Sequence, residues 1–124
     1  MAEEVVSFDL ERSILDENEI RYTLWGNIYL LNITNSHKLI DFCEKNSIGI
    51  LGIEGFIAHG QYRTPSMEHI ADFSSAFESM PPEKFIIESA RGAKKFLEYA
   101  TDSQMMFEFE LVIRQMTDGG ILSR

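Results

Sequence analysis

Ser47-Ile48-Gly49-Ile50-Leu51-Gly52-Ile53-Glu54-Gly55-Phe56-Ile57-Ala58 is the stretch on which the fold turns. It is rich in β-branched residues and apolar on both sides, with Ile48, Ile50 and Phe56 set against Leu51, Ile53 and Ile57. An extended segment of that kind is a strand covered on both faces, and therefore a central one. Gly52 and Gly55 interrupt it. Glycine inside a strand marks a bulge or a close approach by a neighbouring backbone.

Upstream of this strand, Thr34-Asn35-Ser36 offers N-cap oxygens, and Leu39, Ile40 and Cys43 then fall on one face, with Asp41 and Lys45 as an exposed i,i+4 pair. A helix at about residues 36–46 is expected. Earlier still, Ile20-Arg21-Tyr22-Thr23-Leu24-Trp25 and Ile28-Tyr29-Leu30-Leu31-Asn32-Ile33 are two β-prone runs separated by Gly26-Asn27. Gly first in a two-residue loop suits a type II′ turn, whose twist matches the flanking strands. Leu10, Ile14 and Leu15 at helical spacing predict a short helix over 9–18 with Asp9 as its N-cap.

Downstream, His59-Gly60 can turn the chain into Gln61-Tyr62-Arg63, and Pro65 is expected to end regular pairing. The stretch Ser66 to Ser75 fits either a helix or a strand, and a strand at 68–74 is the preferred reading. Pro81-Pro82-Glu83 opens a helix, because proline fits the first turn and an acid there complements the dipole. Phe85, Ile86, Ser89, Ala93, Phe96, Leu97 and Ala100 continue it at a period of 3.6 to about residue 100, as the main packing helix. Finally Phe107, Phe109, Leu111 and Ile113 alternate with Glu108, Glu110, Val112 and Arg114. That is a strand with one wet side.

The pattern defines an α+β fold in which a single, mostly antiparallel sheet packs against one long and one or two short helices. With no repeat or linker, residues 1–124 read as one domain with loose ends at about 1–4 and 118–124. The net charge of −9 repels phosphate backbones and anionic lipid surfaces, so neither nucleic acid nor membrane is an expected partner. No apolar run approaches the roughly 20 residues that span a bilayer. Met1-Ala2-Glu3-Glu4 lacks the features of a secretory signal, and a cytoplasmic location is the expectation. The lone Cys43 forms no internal disulfide and no cysteine-based zinc cage.

Catalytic chemistry finds little support in the spacing. Glu54, His59, Glu68, His69 and Asp72 resemble a ligand or acid/base set in composition, but a proline and ten residues of chain part the two histidines. Solvated loop and strand positions are the simpler account. Cys43 lies on an apolar helix face, where free cysteine behaves as a small core group. Ser74-Ser75 has no nucleophile elbow, and Gly49 to Gly55 lacks the lysine of a phosphate-binding loop. No enzyme, metal or cofactor is expected. Trp25 and Tyr29 flank the hairpin turn, either as contact aromatics or as ordinary cross-strand packing.

Gly52-Ile53-Glu54-Gly55-Phe56 followed by Ile70-Ala71-Asp72-Phe73-Ser74 resembles the small cytosolic immunity proteins of bacterial polymorphic and contact-dependent growth inhibition toxins. The resemblance implies a non-catalytic protein that binds a toxin domain, commonly a basic nuclease, and blocks its active site. Between Lys45 and Lys84 the only basic residue is Arg63, so this section would attract a basic partner. The expected binding surface comprises Glu54, Glu68, Asp72, Glu108 and Glu110 with Tyr62 or Trp25. Glu108 and Glu110 share a strand face about 7 Å apart. Two other readings stand beside this one: a small enzyme or ligand-binding domain around Glu54, His59 and Asp72, and a homodimer paired through an exposed strand edge.

Overall fold

A computed structural model describes residues 2–100 and 104–115. The protein is α+β, as expected, with its main sheet in the order β1-β6-β4-β5 and every neighbour antiparallel. The strand Gly49–His59, β4, is internal, between Tyr62–Asp72 (β5) and Met105–Gln115 (β6). Residues Ala2–Val5 form β1 on the outer side of β6, where a loose start was expected. Four short residues give too little period for sequence reasoning, and the ladder to β6 supplies the order. The expected loose end at 118–124 lies outside the described residues.

Both glycine signals in β4 are bulges. The register with β6 slips between Ile50 and Gly52, and the register with β5 slips between Glu54 and Phe56. At the second site Ser66 to His69 of β5 oppose Gly55 alone. A Cβ on Gly55 would lie 2.6 Å from the Met105 Cε and 2.9 Å from the His69 Cβ, so the close approach requires glycine. Pro65 does not end the pairing as expected but faces Phe56 within β5. β5 is the edge of the sheet, and an edge strand beside a bulge tolerates a residue that lacks an N–H.

The segment Ser66 to Ser75 divides. Strand β5 runs to Asp72, whose carboxylate accepts from the Ser74 N–H (2.9 Å) and hydroxyl (2.7 Å). That local turn ends the strand and starts a short helix, Ser74–Ser79 (α3), where a strand to residue 74 was preferred. Helix α4, Pro82–Tyr99, begins with proline in its first turn and buries Phe85, Ser89, Ala90, Ala93 and Leu97. Its small residues bring the backbone close enough for the Ser89 Oγ to accept the Ile50 N–H at 3.1 Å, inside the bulged part of β4.

Helix α1 spans Phe8–Glu17 and is capped by Ser7, whose Oγ accepts the Leu10 N–H; Asp9 is in the first turn. Ser7 has the extended backbone of a cap, and Asp9 does not stand outside the helix. Helix α2, Ile33–Lys45, is capped by Asn32 for the same reason, which leaves Asn35 and Ser36 inside. There they are buried, and the Asn35 Oδ1 accepts the Arg21 N–H at 2.8 Å.

The expected hairpin exists as Thr23–Trp25 (β2) and Ile28–Leu30 (β3), with Gly26 at φ 62° in its turn. It is a separate two-stranded sheet, tied to β6 through a bridge between Leu31 and Phe107, so the expectation of one sheet is corrected. Side chains from α2, α4, β4 and β6 make the main core, including Leu39, Ile40, Cys43, Ile50, Ala93 and Phe107. A second cluster of Phe77, Phe85 and Val112 lies under α3. No helix among the described residues is long and apolar enough to cross a membrane.

Candidate acidic docking cleft

Antiparallel pairing places the carboxylates. Glu54 lies opposite Glu108, Gly52 is opposite Glu110, and on its other side Gly52 is opposite Asp72. Opposed residues in a sheet share a face, so side chains separated by up to 56 positions in the chain converge. Helix α1 adds Glu11. These five carboxylates line one open cleft of about 580 Å³, together with apolar groups of Leu51, Ile70 and Phe109. Among the described residues no lysine or arginine lines it.

The carboxyls differ in how readily they ionise. Asp72 is exposed, and its two bonds from Ser74 hold it below the usual carboxylate range. Glu108 is half-buried and raised, first by burial and then by Glu54 and Glu110. Burial pushes Glu11 up to about 7, with Glu108 adding repulsion. The Glu11 Oε2 is sealed from solvent, without a hydrogen-bond partner among the described residues. A single cleft thus holds a firmly ionised group and one close to half-protonated at neutral pH.

Four of the seven expected contact residues, Glu54, Asp72, Glu108 and Glu110, meet in the cleft. Trp25 stands beside it: its turn neighbour Asn27 lines the cleft, and its ring meets Phe56 edge-on at 6.0 Å. Tyr62 and Glu68 do not line it. Tyr62 is at the β4–β5 turn opposite His59, and Glu68 is in the β5 bulge. Tyr29 is a core residue, stacked on Phe8 at 4.5 Å with its hydroxyl donating to the Phe8 carbonyl.

His59 and His69 are kept apart by the ladder. His59 ends β4, whereas His69 packs beside Gly55 and shares a 2.8 Å hydrogen bond with Ser66. Among the described residues no group of three His, Cys, Asp or Glu side chains could hold a metal. Cys43 is buried, and burial pushes its thiol up to about 12, so it is a neutral core group at physiological pH. The residue that sequence reasoning missed is Glu11. It sits three and four positions before the buried Ile14 and Leu15, an acid on the inward stripe of its helix.

Comparison with protein families, with curated proteins and with solved structures finds no match to this chain.

Proposed function

We propose that this protein works by docking: the cleft receives a basic segment of a protein partner, and the partner is a bacterial toxin domain whose active site is covered in the complex. The supporting observation is the convergence of Glu11, Glu54, Asp72, Glu108 and Glu110 in one concavity that no cationic side chain lines among the described residues. Such a surface attracts a basic enzyme over distance and rewards complementary charge at contact, which speeds association and selects the partner. Flanking apolar groups such as Ile70 and Trp25, 47% and 38% exposed, supply area that charge alone does not.

The test is co-expression with a basic, growth-inhibiting domain encoded beside this chain, in wild type and in E108K/E110K. Wild type is expected to restore growth and to bind with a steep salt dependence. The double variant should associate at least about tenfold more slowly, with a flatter salt response. Full protection by the variant, or a neighbouring product without toxicity, would sink the proposal.

A second reading, a small enzyme or ligand-binding domain, has one observation in its favour. A carboxyl titrating near neutrality in a cleft, beside a second raised carboxyl, is the usual setting of a general acid or base. Of the residues first considered for it, Glu54 and Asp72 line the cleft and His59 does not. A thermal-shift screen of small cationic and sugar-like compounds separates the readings, because a specific ligand raises stability by mass action.

A further inference from the structure

Among the described residues Glu11 is the cleft carboxyl with an oxygen, Oε2, both sealed from solvent and without a hydrogen-bond partner. From β6 it faces Glu108, which has Glu54 of β4 and Glu110 beside it; from α2 it faces the Cys43 thiol. The only basic residue on its own helix, Arg12, lies over the Phe8 and Tyr29 rings at 5.5 and 5.9 Å. No ion pair reaches Glu11 among the described residues. A half-buried carboxylate with one oxygen sealed and neither a cation nor a donor is disfavoured, whereas the neutral acid is tolerated.

The helix that carries this group is also a wall of the cleft, through Phe8 and Glu11. Its other anchors are the buried Ile14 and Leu15, the Phe8–Tyr29 stack and the bond from the Tyr29 hydroxyl. We propose that Glu11 is a proton-dependent latch: protonated, it lets α1 seat on the sheet and complete the cleft wall, and as the proton is lost α1 seats more loosely.

Linkage fixes the direction and the window. A carboxyl that titrates at 4.5 when α1 is undocked and at about 7 when it is docked keeps its proton longer in the docked form. The opening equilibrium of α1 therefore rises with pH, by up to about tenfold per unit between those two values, and is flat above the upper one. The latch is tightest in mild acid and at its loosest from neutral pH upward.

The experiment is native-state amide exchange of the whole protein between pH 5 and 8, corrected for intrinsic exchange, alongside carbon NMR titration of the Glu11 carboxyl. In wild type the opening constants at the Ile14 and Leu15 amides are expected to rise with pH and level off near 7. In Glu11→Gln, a neutral side chain of the same shape, they should be flat. Three results would overturn the latch: a Glu11 midpoint between 4 and 5, the same slope in Glu11→Gln, or an equal slope at Leu39 and Ile50. The last would assign the effect to unfolding of the whole chain. Should Glu11→Gln fold poorly, the wild-type midpoint and the contrast between α1 and the core amides decide the matter.

Discussion

The two faces of β6 are one residue apart in sequence and opposite in purpose. Phe107, Phe109 and Leu111 are at most 3% exposed and belong to the main core, with Phe109 and Leu111 also touching the cleft, while Glu108 and Glu110 between them line it. The same backbone ladder holds both sets. Stability on one face therefore fixes where the charges are attached on the other, since the backbone of a glutamate cannot shift without moving a core phenylalanine. The separation is incomplete at one end. Val112, on the side of the glutamates by alternation, is buried with Phe77 and Phe85 under α3. The cleft is thus the part of the second face that α3 leaves open.

The largest expected effect comes from breaking the core face. Phe107→Ala removes a fully buried ring that meets Phe96 edge-on, and chemical denaturation should show a loss of about 3–5 kcal/mol. The neighbouring Glu110→Gln, on the exposed side, should shift stability by less than about 0.5 kcal/mol at neutral pH. Equal losses at the two positions would refute the division of labour between the faces.

Next in size is Gly55→Ala, which tests whether the bulge links the faces. The added methyl meets Met105 and His69, so a loss of about 1–3 kcal/mol is expected by thermal melting. Ser89→Ala leaves the buried Ile50 N–H without its acceptor and should destabilise by about 1–3 kcal/mol, read by denaturant midpoint at unchanged m-value. A pH-dependent effect sharpens the acidic side. A carboxyl raised in the folded state binds more protons there than in the unfolded chain, so wild-type stability should fall as pH rises from 4.5 to about 7. Glu11→Gln should lessen that fall, and melting curves at pH 5 and pH 8 compare the two.

Much of this arrangement is legible in the chain. The apolar double face of 48–57 announced an internal strand, its glycines announced the bulges, and Pro81-Pro82-Glu83 announced the start of α4. The alternation at 107–114 separated Glu108 and Glu110 from the core. Elements that depend on distant partners were not legible. β1 is four residues made regular by β6 and Pro65 is tolerated because β5 is an edge, while α3, which starts from a local Asp72–Ser74 turn, is only six residues and shows too little period.

Local periodicity determined the class of fold, the long helix and the central strand, because those follow from side chains a few positions apart, and composition alone determined the sign of the net charge. Tertiary structure alone decided that Glu54, Asp72, Glu108 and Glu110 meet, that Tyr62 and Glu68 do not join them, and that Glu11 completes the cleft. The physical reason is strand register. Which carboxylates stand side by side is set by hydrogen-bonded pairing across the sheet, and that pairing is displaced by bulges whose size no local pattern specifies.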